Sequence, residues 1–257
     1  MDLQLSGKVA IVTGASRGIG RAIAETLAAE GMNLTLVARS REQLESLASS
    51  IGTKTFVQAI DLRAPDASAV VVAATLAEFG RLDLLVNNAG ATKRGDFLEL
   101  SDADWEDGYA LKFFGAMRGA RAAWPHLCAS GGGIINIVGI GGRTGTAEFT
   151  IGGAVNASVL NLTKCLADRG LKDGVRVNAI NPGSIATERL QTRLREFASE
   201  RGIELAAAEK EMANAFKIAR FGEPAEIARV VAFLASPQSS YCQGAIVDVD
   251  GGATRTL

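Results

Sequence analysis

The residues with readable chemistry begin at a glycine loop. Gly14, Gly18 and Gly20 are spaced Gly-x-x-x-Gly-x-Gly within Lys8–Gly20, which reads KVAIVTGASRGIG. Without a Cβ, such residues let the backbone turn sharply and approach a bound group closely. Arg17 lies inside the loop, and Arg39 follows the apolar run Leu36-Val37-Ala38. An acidic residue at that second place would accept hydrogen bonds from the hydroxyls of an adenosine ribose and favour NAD(H). A guanidinium there pairs instead with a 2′-phosphate through its planar fork. The two arginines therefore predict NADP(H) over NAD(H). Asp61 closes the run Phe56-Val57-Gln58-Ala59-Ile60 and reads either as an acceptor for an adenine amino group or as a turn aspartate.

These residues need elements to hold them. Val9–Val12, before the glycines, has strand length and β-branched content, and Arg21–Ala28, after them, has a helical pattern. Strand, glycine turn and helix together suit a diphosphate, because a helix N-terminus offers free N–H groups and a positive dipole end. The same alternation continues along the chain. Further strands are predicted at Asn33–Val37, Thr55–Ala59, Leu82–Val86, Gly133–Val138, Val175–Ile180 and Ala245–Val249. Helical periodicity fills Arg41–Ser50, Ala67–Phe79, Ala103–Leu127 and Pro224–Leu234. This order predicts an α/β chain with a parallel sheet covered by helices on both faces. No linker, repeat or low-complexity tract divides it, so one domain over residues 1–257 is expected. Residues 185–220 are charged and helical without a strand, and read as an excursion over the mouth of the site.

Bulk properties narrow the classes of function. With 47% hydrophobic residues and a net charge of −1, the chain has material for a large core and no charge bias towards nucleic acid or a membrane surface. Met1–Leu5 lacks the basic and apolar segments of a signal peptide, and no apolar run is long enough to span a bilayer, so a cytoplasmic location is expected. Cys128, Cys165 and Cys242 are odd in number and far apart, as in reduced intracellular proteins. His126 is the only histidine, so no metal site is expected.

A resemblance to a known family becomes specific at Leu85-Val86-Asn87-Asn88-Ala89-Gly90. Together with Thr13–Gly20 it resembles the short-chain dehydrogenase/reductase family. The likeness continues through Asp104-Trp105, Asn181-Pro182-Gly183 with Thr187, Arg220–Ile227 and Val247–Gly252, and so covers essentially the whole chain. It implies a single Rossmann-type doubly wound domain with a seven-stranded parallel sheet, in agreement with the seven strand runs counted above. It implies cofactor contacts from Gly14, Ser16, Arg17, Gly18, Ile19 and Gly20 in the loop, with Arg39, Asp61 and Leu62 towards the adenosine. Asn88, Ala89 and Gly90 would lie along the cofactor, and Pro182, Gly183, Ile185 and Thr187 at its nicotinamide end. Asn87 is expected to tie neighbouring strands together. The family also implies a homo-oligomer, a dimer or a homotetramer.

The family's catalytic pattern is not kept. It requires a tyrosine for proton transfer, a lysine one helical turn later, a serine on the substrate oxygen and an asparagine on the preceding long helix. The flanking matches place Gly139 at the serine position, Gly152 at the tyrosine, Asn156 at the lysine and Lys112 at the asparagine. A positioned acid–base group contributes about 10²–10⁴-fold, so ordinary ketone reduction is expected to be very slow. The remaining candidates for chemistry are Lys112 and Asn156, with Tyr109 one turn before Lys112, and Glu148 and Thr150 before Gly152. Glycine at 139 and 152–153 predicts a pocket wider than usual. Three readings stay open: an NADP(H)-dependent oxidoreductase with a non-standard catalytic set, a catalytically inactive cofactor-binding sensor or partner subunit, and a non-redox isomerase or lyase.

Overall fold

Short runs rich in apolar and β-branched residues, separated by segments long enough to cross over, pair edge to edge, with the central strands buried on both faces and the two edge strands half-buried. The computed structural model describes residues 1–255. Its strands are β1 (Val9–Thr13), β2 (Asn33–Ala38), β3 (Thr55–Ala59), β4 (Leu84–Asn87), β5 (Gly133–Ile137), β6 (Arg176–Pro182) and β7 (Ile246–Val249). All pairings are parallel, and the sheet order is β3-β2-β1-β4-β5-β6-β7. The order reverses between β1 and β4, and the crevice at the carboxyl ends of these strands is where such sheets take ligands.

The helices are α1 (Gly18–Ala29), α2 (Arg41–Ser50), α3 (Ala67–Phe79), α4 (Asp102–Tyr109), α5 (Gly115–Ser130), α6 (Thr150–Asp173), α7 (Glu188–Arg201), α8 (Leu205–Ala215) and α9 (Pro224–Ala235). Alternation along a strand divides the core. Ala10 and Val12 of β1 pack with Ile23 and Leu27 of α1 and Ile227 and Val231 of α9. Ile11 between them points the other way, to Val71 and Val72 of α3 and Ala120 and Leu127 of α5. Both faces of the sheet are therefore covered, as the sequence predicts.

Two local departures from the expected elements matter. The helix expected over Ala103–Leu127 is a longer rod, interrupted at Ala110–Phe114 by a π-helical turn. Lys112 stands in that turn. Residues 185–220 form α7 and α8, which pack against each other through Leu190, Leu194, Met212 and Ala213, with Ile218 after α8 completing a small apolar cluster apart from the sheet's two main ones. Ile185 and Gly222 join the two ends of this excursion by a single parallel bridge. Among the described residues no helix is long and apolar enough to cross a membrane.

Candidate functional site

The loop between β1 and α1 is built around one hydroxyl. Thr13 Oγ1 donates to Val86 O at 3.1 Å and accepts from the backbone N–H groups of Asn88 at 2.9 Å and Ala89 at 3.0 Å. Asn88 returns the contact, its Nδ2 donating to Thr13 O at 2.9 Å and Gly14 O at 3.2 Å. These bonds clamp the ends of β1 and β4 at the place where the strand order reverses. Gly14 and Gly18 hold φ of 66° and 56°, the left-handed region that glycine enters freely. A Cβ on Gly20 would run into the Gly14 carbonyl and the Asn88 amide. The first-turn N–H groups of α1 have no intrahelical acceptor, so the loop forms a cradle for an anion. Ser16 and Ile19 are half-buried in it.

Around this cradle the sequence-predicted residues fall at the same carboxyl edge. Arg17 precedes α1, exposed, with Nη1 3.6 Å from Glu188 Oε2. Arg39 is exposed just after β2. Both Asp61 carboxylate oxygens accept from Arg63, one from its backbone N–H at 3.0 Å and one from Nη1 at 2.9 Å. Burial pushes the Asp61 carboxyl up, but these bonds, with Arg63 and Arg39 nearby, outweigh it and hold it below the usual range. Leu62 beside it is buried. Pro182 ends β6, and Gly183 N–H donates to Val249 O at 3.0 Å. Buried Ile185 and the Thr187 methyl close the opposite wall, where a Cβ on Gly18 would come within 3.3 Å of Thr187 Cγ2.

Asn87 does tie strands together. Its Nδ2 donates to Asn136 Oδ1 at 2.9 Å, and Asn136 Nδ2 donates to Thr163 Oγ1 at 2.9 Å. This buried chain couples β4, β5 and α6 beneath the site.

After β5 and at the start of α6 the structure departs from the wide pocket expected from glycine at 139 and 152–153. The Phe149 ring lies where a Cβ on Gly152 would stand, and three of its ring carbons fill that space. Gly139 has φ of 133°, which disfavours a side chain, and a Cβ there would meet Asn156 Nδ2 at 3.2 Å. The volume given up by two glycines is thus taken by a phenylalanine ring and an amide. Asn156 is 3% exposed, and its Oδ1 has no hydrogen-bond partner. Thr150 Oγ1 is likewise buried and unpartnered.

The π-helical turn separates Tyr109 from Lys112. The Tyr109 hydroxyl lies 3.3 Å from Ser158 Oγ on α6 and its ring packs edge-on against Phe113. Lys112 runs the other way. Its stem covers Gly90, where a Cβ would sit 2.9 Å from Lys112 Cδ, and its Nζ donates to Val138 O at 2.6 Å. Burial, with Arg189 nearby, pushes the Lys112 ammonium down to about 8. Such a group can hold or release a proton near neutral pH.

Sequence reasoning missed Arg94, Arg189 and Phe149. Arg94 stacks on the Phe149 ring, 4.1 Å from guanidinium to centroid, while Gly95 N–H donates to Glu148 O at 3.2 Å. The loop after β4 is thereby fastened to the loop before α6. Arg189 Nη2 reaches Gly90 O at 3.4 Å. Both arginines are exposed side chains whose guanidinium groups are partly covered; that covering lowers their pKa, helped at Arg94 by Arg193 and Arg189 against Glu148, and at Arg189 by Arg17. The arginine pair four residues apart at 189 and 193 was a visible signal; the reach of Phe149 over a residue three positions later was not. Among the described residues no cluster of His, Cys, Asp and Glu is arranged for a metal ion.

Comparison with known proteins places this geometry. The family model described as Enoyl-(Acyl carrier protein) reductase matches residues 14–254. Oxidoreductase UcpA of Escherichia coli K12 is 34% identical over 256 residues, covering 98% of this chain and 96% of its own. The crystal structure of L-sorbose reductase from Gluconobacter frateurii, complexed with NADPH and L-sorbose, is 35% identical, covers 100% of both chains and has a TM-score of 0.95. YwfH, an NADPH-dependent reductase involved in bacilysin biosynthesis, has a TM-score of 0.91 at 28% identity, covering 97% of this chain and 99% of its own.

Proposed function

Since the chain belongs to the short-chain dehydrogenase/reductase family, we propose that it is an NADP(H)-dependent oxidoreductase in which Lys112, and no tyrosine, handles the proton. The carrying observation is the Lys112 ammonium, delivered to Val138 O at 2.6 Å at the carboxyl end of β5 while Phe149 fills the space beside Gly152. The cradle fits a dinucleotide: no Cβ obstructs Gly14, Gly18 or Gly20, and the α1 N-terminus offers N–H groups to a diphosphate. Ser16, Arg17 and Ile19 complete that loop, Arg39 would hold the 2′-phosphate, and Asp61 and Leu62 would border the adenine. Asn88, Ala89 and Gly90 would line one side of the groove, with Pro182, Gly183, Ile185 and Thr187 at the nicotinamide end. The NADPH bound in the similar L-sorbose reductase and the NADPH dependence of YwfH support this choice.

When bound, the cofactor supplies hydride chemistry. The chain's own part is to orient the reactants and to move a proton. Lys112 Nζ carries the proton at Val138 O and gives it up more readily than an exposed lysine, because burial disfavours its charge. Asn156 Oδ1, buried without a donor, would accept from a substrate hydroxyl. Phe149 excludes water from the floor beside Gly152. Proximity and orientation then carry the remainder of the rate.

A second reading, a cofactor-binding sensor or partner subunit without turnover, is favoured by the same ring, which closes the space a proton-donating side chain from α6 would need. Fluorescence titration with NADPH and NADH, followed by turnover of a carbonyl panel by wild type and Lys112→Met, separates the two. Tighter NADPH binding with turnover lost in Lys112→Met supports the enzyme. Binding with no turnover of any carbonyl leaves the sensor, and equal turnover in Lys112→Met removes the lysine from the mechanism.

A further inference from the structure

We infer that Arg94, Arg189 and Arg193 form a receptor for an anionic group, a carboxylate or a phosphate, on the substrate of this cleft. The inference rests on the reductase-type cleft proposed above and names its substrate class. Arg94 comes from the loop after β4, and its guanidinium is fixed 4.1 Å above the Phe149 ring. Arg189 and Arg193 stand one turn apart in the first half of α7, so they share a face of that helix. Arg189 crosses the cleft to Gly90 O at 3.4 Å. Three guanidinium groups from two separate elements are thus gathered above the carboxyl edge of the sheet.

Their charge is not balanced within the protein. Among the described residues none of the three is ion-paired with a carboxylate, although elsewhere arginines find partners, as Arg63 does at Asp61 and Arg220 at Glu226. Their electrostatic neighbours are mostly other cations: Arg94 feels Arg193 and Arg189, Arg189 feels Arg17, and Lys112 feels Arg189, with Glu148 the one acid acting on Arg94. Like charges four residues apart weaken a helix, so the pair at 189 and 193 is a cost to α7 unless an anion offsets it. Two further groups beside Phe149 and Gly139, Thr150 Oγ1 and Asn156 Oδ1, are buried and unpartnered, which adds unused hydrogen-bonding capacity at the same end of the sheet. A small hydroxylated or carbonyl compound carrying one anionic group would use both features. A neutral polyol would leave the cations unpaired.

Three probes of matched length separate these cases: gluconate, sorbitol 6-phosphate and neutral sorbitol. Each is titrated calorimetrically at low ionic strength, with and without saturating NADP⁺. The anionic probes are expected to bind at least about 10-fold more tightly than sorbitol, and Arg94→Met and Arg193→Met are each expected to lose roughly 10-fold of that affinity. NADP⁺ affinity should stay within about 2-fold in both variants, which also reports that they are folded. The tighter of the two anionic probes tells carboxylate from phosphate. Equal affinity for sorbitol, or no saturable anion binding in either state, overturns the inference. So does displacement of the anions by NADP⁺ together with weakened NADP⁺ binding in the variants, which would assign the arginines to the cofactor. If wild type fails to bind NADP⁺, the cofactor reading falls, and the titration without NADP⁺ still decides this one.

Discussion

The Phe149 ring occupies the volume into which any side chain at Gly152 would grow. The two positions are three residues apart, Phe149 just before α6 and Gly152 in its first turn. The glycine is therefore required by the phenylalanine, and no larger side chain fits at position 152 unless Phe149 also changes. Gly152→Ala is expected to cost about 1–3 kcal/mol by overpacking. For a chain of this size that lowers Tm by roughly 2–10 °C. Phe149→Ala in the same chain should relieve the clash, giving a coupling energy of about 0.5–3 kcal/mol in a double-mutant cycle. Additive effects in thermal or urea unfolding would show that the ring moves aside at no cost.

Lys112 makes stability depend on pH in a definite direction. Its pKa falls from 10.5 to about 8 on folding. Between these values the unfolded chain binds more protons than the folded one, so this group's contribution to stability rises with pH across that window. As pH falls from 10.5 to about 8, the stability of Lys112→Met relative to wild type should rise by about 1–3 kcal/mol, most of it regained solvation cost. Urea unfolding of both proteins at several pH values measures the difference, and a flat difference would place the ammonium in water. If Lys112 donates the proton in reduction, kcat/KM should also fall as pH rises through its pKa, because the donating form is lost.

How far the sequence spoke follows from the range of each signal. The glycine loop and strands such as Thr55–Ala59 were legible because local spacing and apolar content determine them. Lys112, Gly139, Gly152 and Asn156 were legible as identities at positions the family resemblance singles out, but not the packing around them. The Phe149 ring fills space by packing, which leaves no periodic trace. The π-helical turn at Ala110–Phe114 sends Tyr109 to Ser158 and Lys112 to Val138, whereas regular helical spacing would put both on one face. Arg94, on the loop after β4, and Arg189, on α7, lie far apart in sequence and come together only in the folded chain.

The proposed preference for NADP(H) rests on Arg39. It stands exposed after β2 with Asp61 as an electrostatic neighbour, free to turn towards a 2′-phosphate. A charge-assisted pair of that kind is worth enough that Arg39→Ala should weaken NADPH binding by about 10- to 100-fold. NADH, which lacks the phosphate, should bind the variant as it binds wild type. Fluorescence titration of both cofactors tests this, and parallel losses for the two would mean that Arg39 supports the fold instead. Raising the ionic strength should weaken NADPH binding to wild type more than to Arg39→Ala, since the exposed pair is screened.

Asn136 offers a test of what holds the two halves of the crevice together. It accepts from Asn87 at 2.9 Å, donates to Thr163 at 2.9 Å and is 2% exposed. Truncating it leaves Asn87 Nδ2 with only a long contact to Ala116 O at 3.5 Å and removes one donor from Thr163 Oγ1, which keeps its own bond to Val159 O at 2.8 Å. Asn136→Ala should therefore destabilise the protein by about 2–4 kcal/mol, a sum of lost hydrogen bonds and the underpaired Asn87 amide. Asn136 lies on β5 beneath the crevice and touches none of the loop residues, so the folded fraction should keep its NADPH affinity. Urea unfolding gives the first quantity and titration at low temperature the second. Loss of affinity without loss of stability would move Asn136 out of the scaffold and into the site.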